Sequence, residues 1–329
     1  MHAIFDAQYQ ASRAQMEVPL ALRRDRLKRL RRLIGGDPPP PRSIVAAAGY
    51  PVSVGDGEDA MGGRTMRVDW QGVFPALMTE FHPDGALDLE SMQRHARACL
   101  EVGCSGLIML GTLGENSSLA PEEKEAVLRA AIEAADGRAP VIAGVAEYTT
   151  ELAIAQARRS ERAGCAGLMA LPCMVYEQDE REAVHHFRTL AAGTGLPIMI
   201  YNNPLAYKVD LKPEGFLGLA ESANIVAIKE SSHDSRRMTD SWNVLGDRFL
   251  MFCGVDDLIF ENVLCGAVGW VSGLVNSFPA EGVRLFELTS AGRIEEAREL
   301  YRWFMPLLHL DVHKKLVQYI KLANQLTGM

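Results

Sequence analysis

Ile225-Val226-Ala227-Ile228-Lys229-Glu230-Ser231-Ser232 is the stretch that decides how this chain folds. Four apolar residues in succession, three of them β-branched, read as a strand buried on both faces, as in a parallel sheet. Asn224 precedes the run and Ser-Ser-His-Asp follows it, so both ends carry turn residues. Lys229 sits at the end of this strand, where its ammonium is expensive to bury and desolvation lowers its pKa towards a usable amine. Amines of this kind attack carbonyl carbons and form Schiff bases. The plainer reading is a lysine that reaches out to solvent or pairs with Glu230.

Working outward from this strand, β-rich apolar runs recur at 72–79, 105–111, 140–146, 166–172, 197–202, 225–231, 249–256 and 269–274. Amphipathic helical stretches separate them at about 88–102, 121–135, 150–163, 179–193, 213–221, 235–245, 257–265 and 278–290. Eight βα units in succession predict a closed (β/α)8 TIM barrel over residues 70–292. A doubly wound open sheet is the alternative, but the first βα turn lacks a G-x-G-x-x-G fingerprint. Two further helices, near 293–310 and 312–327, form a C-terminal region over 293–329.

Residues 1–69 are of another kind. Pro19 to Ile34 reads as a basic amphipathic helix, with seven Arg or Lys between residues 23 and 32. Residues 35–69, with Pro38-Pro39-Pro40-Pro41 and many glycines, read as a linker too polar to order itself. Across all 329 residues the formal net charge is −8, which argues against nucleic acid as the main partner. No apolar stretch has the length of a membrane span and no signal-peptide core opens the chain, so a cytoplasmic location is expected. The six cysteines show no CxxC pair and no Cys/His spacing for a metal, and read as buried, reduced thiols.

In a barrel, chemistry gathers at the C-terminal ends of the strands. After strand two come Gly111-Thr112-Leu113-Gly114, whose backbone N–H groups can turn towards an anion beside the Thr112 hydroxyl. An ordinary glycine-rich turn is the competing reading. Strand five ends at Tyr201-Asn202-Asn203-Pro204, and the next strand delivers Lys229, so the Tyr201 phenol can shuttle protons to a Schiff base. Gly254 after strand seven and the Gly269–Gly273 segment of strand eight leave room for a ligand. His185 and His186 fall inside a helical stretch, where packing outweighs catalysis.

The motifs GTLGE (111–115), IYNNP (200–204), AIKES (227–231) and the glycine turn at 254 resemble the dihydrodipicolinate synthase / N-acetylneuraminate lyase family, in family order. The resemblance implies a class I lyase or aldolase acting without metal or other cofactor, assembled as a homotetramer or homodimer. It casts Lys229 as the Schiff-base lysine and Tyr201 as proton donor and acceptor. Thr112 and the 111–114 backbone would hold the carboxylate of a 2-oxo acid, and Val271 would wall its pocket. It also implies a chain continuing beyond Met329.

Departures from the family pattern point to a substrate. Leu113 stands where the synthases carry a second threonine for a hydroxyl relay, and Ala206 where they carry an arginine for the second substrate's carboxylate. Cys173-Met174 replaces the strand-four tyrosine pair, with Tyr176 displaced nearby. YNNP followed by Tyr207 and Asp210, KESS-x-DSRR (229–237), GVDD (254–257), GWVSG (269–273) and FMPLLHLD (304–311) resemble the Δ1-pyrroline-4-hydroxy-2-carboxylate deaminases of hydroxyproline catabolism. The expected substrate is therefore a cyclic imine carboxylate. A dihydrodipicolinate synthase or related 2-oxo-acid aldolase is the alternative, and a non-catalytic binding barrel the alternative of another class.

Overall fold

The structure, a computed structural model, describes residues 66–329; the basic helix and nearly all of the linker lie outside the described residues. The eight strands each fall inside an expected run: β1 Gly72–Pro75, β2 Leu107–Met109, β3 Val141–Val145, β4 Gly167–Ala170, β5 Ile198–Asn202, β6 Ile225–Glu230, β7 Leu250–Cys253 and β8 Gly269–Ser272. All the pairings are parallel, in the order β1-β8-β7-β6-β5-β4-β3-β2. The seam between β1 and β2 closes through the Ala76–Ile108 bridge, where Leu77 N–H donates to Ile108 O at 2.8 Å. The fold is a (β/α)8 TIM barrel followed by C-terminal helices. Both faces of the strands are covered, which is why they read as apolar runs rather than alternating ones.

The helices are α1 Leu89–Glu101, α2 Pro121–Ala135, α3 Thr150–Ala163, α4 Glu180–Ala192, α5 Pro204–Tyr207, α6 Pro213–Phe216, α7 Arg236–Leu245, α8 Ile259–Leu264, α9 Pro279–Ser290, α10 Ile294–Leu308 and α11 Leu316–Thr327. Their starts have local causes. Asp88 accepts Ser91 N–H at 2.9 Å to cap α1, and Asp179 with Glu182 forms a reciprocal capping box on α4. Two stretches differ from expectation. The helix expected over 213–221 is only α6 plus a 3₁₀ turn at Leu217–Leu219, and α8 is shortened by a 3₁₀ turn at Asp256–Leu258. The four-residue α5 was not expected at all; Pro204 fixes its first φ and Asn203 caps it through Ala206 N–H at 3.1 Å.

Aromatic rings fill the barrel's interior. Phe74 of β1 and Phe252 of β7 meet edge-to-face at 5.5 Å, both fully buried. Glycines make this packing possible: a Cβ on Gly106 would lie 2.1 Å from the Phe74 ring, and one on Gly269 2.2 Å from the Phe252 ring. Phe252 stands beside Lys229 in register on the neighbouring strand.

The C-terminal helices are tied to the barrel mouth at three turns. Lys321 of α11 pairs with Glu115 after β2 at 2.6 Å. Tyr301 of α10 donates to Glu261 at 2.8 Å, and His309 meets Asp257 after β7 at 2.7 Å. Ser277, after β8, donates to Asn324 of α11. Among the described residues no helix is long and apolar enough to cross a membrane.

Replacing Phe252 by Ala is expected to cost about 3–5 kcal/mol, because neighbours pinned by strand pairing cannot collapse into the void. Denaturant unfolding of the variant against the parent chain measures it.

Candidate active site

β5 and β6 place Tyr201 and Lys229 side by side in register at the mouth of the barrel. Lys229 is 5% exposed, and its Nζ lies 3.7 Å from the centroid of the Tyr201 ring. The plainer reading of Lys229 fails here. Glu230 turns the other way, accepting from Asn202 Nδ2 at 3.0 Å and from Ser232 N–H at 2.7 Å. Burial pushes the Lys229 ammonium below the ordinary lysine range; Asp311, Tyr207, Asp256 and Cys253 oppose that shift. Burial likewise lifts the Tyr201 phenol to about 12, against a hydrogen bond donated by Asn203 Nδ2 at 3.1 Å.

Gly254 is where strand seven must lack a side chain. A Cβ there would come within 2.7 Å of both Cγ and Cε of Lys229 and 2.0 Å of Ser231 Oγ. The lysine therefore lies across this glycine. Val271 of β8 is 1% exposed.

The turn after β2 is braced from below. Thr79 donates to Gly114 O at 2.7 Å and Asn116 Nδ2 to Leu110 O at 3.0 Å. A Cβ on Gly144 would overlap Leu110 O at 2.2 Å, so β3 packs directly against this turn. Gly111, Leu113 and Gly114 are buried, while Thr112 is exposed and bonds through its hydroxyl to the phenol of Tyr207. Tyr207 also meets Tyr201 edge-to-face at 5.5 Å. Thus α5 completes a cluster of Lys229, Tyr201, Tyr207 and Thr112. The sequence showed Tyr207 as part of a motif but gave no reason to place it at the site; the cue was Asn-Pro starting a helical turn that ends three residues later.

Not every candidate gathers here. Tyr176 is 81% exposed on the loop before α4 and does not face Lys229. Ala206 is exposed on α5. His186 is buried, with Nδ1 2.9 Å from Thr150 Oγ1 and 3.2 Å from Cys173 Sγ, which ties the end of β4 to α3 and α4. Two acids that sequence reading did not single out face the site, Asp256 and Asp311. Asp256 accepts Trp270 Nε1–H at 3.0 Å and Leu274 N–H at 2.7 Å, and burial with the charge of Asp311 pushes its carboxyl well up.

Strands five and six of the barrel bring a tyrosine and a buried lysine together, and comparison with known proteins places the chain among enzymes of the lyase and aldolase type. The profile of the Dihydrodipicolinate synthetase family matches residues 69–329. The chain is 32% identical over 261 residues to 4-hydroxy-tetrahydrodipicolinate synthase of Methanothrix thermoacetophila, covering 79% of this chain and 88% of that one. It is 35% identical over 236 residues to 4-hydroxy-tetrahydrodipicolinate synthase 2 of Streptomyces coelicolor, covering 71% and 78%. The crystal structure of dihydrodipicolinate synthase from Aquifex aeolicus superposes with a TM-score of 0.75 at 29% identity, covering 79% and 88%. That of the chloride-inhibited enzyme from Acinetobacter baumannii, complexed with pyruvate, gives 0.76 at 26% identity, covering 78% and 89%. This chain belongs to the dihydrodipicolinate synthase family.

These relatives overturn the deaminase reading and favour its alternative, the synthase. The physical reason lies in the strand-two turn. Leu113 carries no hydroxyl and was taken to break the proton relay, but the Tyr207 phenol meets Thr112 from the same chain. The absence of a second threonine therefore does not leave the Thr112 hydroxyl without a hydroxyl partner.

Asn202 holds the end of β5 under this cluster, bonding Glu230, Asp210 and both polar atoms of the Leu211 backbone. Asn202→Ala leaves Glu230 buried without that donor and is expected to cost about 1–3 kcal/mol. A lowered melting temperature with retained far-ultraviolet dichroism checks this.

Proposed function

We propose that this chain is a pyruvate-dependent Schiff-base synthase of the 4-hydroxy-tetrahydrodipicolinate synthase type. One observation carries the reading: a buried lysine, lowered in pKa, lies against a buried tyrosine at the catalytic end of the barrel. The names of the relatives and the pyruvate complex of the Acinetobacter enzyme support it.

The chemistry follows from the residues. The neutral Lys229 amine attacks C2 of pyruvate, and the carbinolamine loses water to give an iminium. The turn at Gly111–Gly114 and the Thr112 hydroxyl hold the pyruvate carboxylate, Gly254 leaves the lysine its path, and Val271 walls the methyl side. Loss of a C3 proton gives an enamine, whose C3 bonds to the carbonyl carbon of an aldehyde while the new alkoxide takes up a proton. Tyr201 handles these protons, with Tyr207 and Thr112 linking it onward through hydroxyls of one chain. An amino group on the aldehyde then displaces Lys229 by exchange at the imine carbon, or water hydrolyses it.

Incubation with pyruvate and borohydride is expected to leave a reduced adduct on the Lys229 peptide, found by mass spectrometry, and none in Lys229→Ala. Absence of any adduct in the parent chain rules the reading out. Tyr201→Phe should still bind pyruvate but lose about 10²–10⁴-fold in condensation rate with aspartate semialdehyde, through kcat rather than KM.

The assembly we propose is a homotetramer or its dimer. Tyr148 on the loop after β3, Leu152 in the first turn of α3, and Val175 and Tyr176 on the loop after β4 expose 56%, 48%, 78% and 81% of their surface, apolar residues grouped at one side of the barrel rim that support this assembly. Small-angle scattering of the full chain should give the mass of a multimer, and Tyr176→Lys should lower it.

A further inference from the structure

A thiol and an imidazole meet in the loop after β4. Cys173 is half-buried and carries its Sγ 3.2 Å from Nδ1 of His186 on α4. Thr150, at the start of α3, places its Oγ1 2.9 Å from the same nitrogen and 4.0 Å from the sulfur. The backbone holds the loop in this arrangement: Cys173 N–H donates to Gln178 Oε1 at 3.1 Å, and Met174 N–H to Glu147 O at 3.0 Å.

The far side of the ring fixes which nitrogen is basic. His186 Nε2 lies 3.3 Å from Leu171 O, and a carbonyl oxygen only accepts, so Nε2 carries the proton. Nδ1 is left with a lone pair on the side of the thiol. Nucleophile, base and orienting group thus follow one another, the order on which activated nucleophiles are built. Burial holds the pKa of the thiol up and that of the imidazole down, so the resting pair is neutral and its proton crosses only as the sulfur attacks. Once Nδ1 is protonated, the Thr150 hydroxyl stands where it can accept from it. A cavity of about 560 Å³ opens beside the pair, and Thr150, Gln178 and His186, the three partners of Cys173, line it. Arg181, Glu177 and Glu182 put both signs of charge on its wall, which suits an uncharged molecule better than an ion.

We propose that Cys173, with His186 as its base, is a modification site for small uncharged disulfides. The sulfur attacks one sulfur of R–S–S–R while the thiol proton passes to Nδ1. A Cys173–S–S–R bond forms and the S–S bond of the reagent breaks. The departing thiolate takes the proton from His186 and leaves as R–SH. The Cys173 sulfur is oxidised and the departing sulfur reduced, so the disulfide is the only oxidant required.

The chain supplies its own control. Cys265, just after α8, is also half-buried but has no histidine partner among the described residues. The full chain is incubated with hydroxyethyl disulfide and quenched with acid at intervals, and the mixed disulfide on each cysteine peptide is followed by mass spectrometry. Cys173 should be modified about 10²-fold faster than Cys265. His186→Gln should bring Cys173 down towards the Cys265 rate and leave Cys265 as it was, which also reports that the variant is folded. Equal rates at the two cysteines of the parent chain, or an unchanged Cys173 rate in folded His186→Gln, overturn the proposal. Tyr176 lines this cavity and belongs to the face proposed for assembly, so the labelling is run on the assembled chain. A Cys173 that a partner copy covers stays unlabelled, and that result overturns the site as well.

Discussion

Everything at the catalytic end depends on keeping one amine dry. An exposed lysine is protonated at neutral pH and inert towards carbonyls; an amine buried among apolar strands is neither, but its ammonium form must be tolerated part of the time. The barrel meets both demands. Phe252 stands beside Lys229 in register, the absent side chain at Gly254 gives its methylenes a path, and the Tyr201 face lies against its nitrogen. Glu230, the nearest acid in sequence, is kept away on the outer side with Asn202. Had it turned inward, a tight ion pair would have fixed the lysine as a cation.

The barrel was legible because its physics is local. Strands covered on both faces appear as short apolar runs, and helices covered on one face appear with a period near 3.6, so the alternation could be read directly. Lys229 was legible for the same reason: a charge ending a run such as Ile-Val-Ala-Ile stands out against its surroundings. The weaker readings fell where segments are short. Residues 213–221 and 257–265 are amphipathic enough to suggest helices, but the 3₁₀ turns at Leu217–Leu219 and Asp256–Leu258 break them into brief pieces.

What sequence did not reveal was long-range convergence. Tyr207 reaches Thr112 because a single helical turn after Pro204 carries it to the turn after β2, three strands away in the sheet, and no pattern within either segment encodes that meeting. The substrate assignment went wrong at the same point. Leu113 was judged as a broken link in a relay, whereas a hydroxyl partner for Thr112 comes from another part of the chain. Asp311 was hidden more deeply, since only the docking of α10 and α11 carries it to the glycine at position 273.

The way the tail is fastened to the mouth has a consequence for how the protein is made. Synthesis runs from the N-terminus, so all eight strands are made before Tyr301, His309 and Lys321, which grip the turns after β7 and β2. A newly emerged barrel can close and bury Lys229, yet its rim stays unfastened until the last two helices fold back. The rim of the barrel is thus fastened by segments far along the chain from the strands they grip, so the mouth around Lys229 takes its shape from long-range contacts rather than from the strands alone.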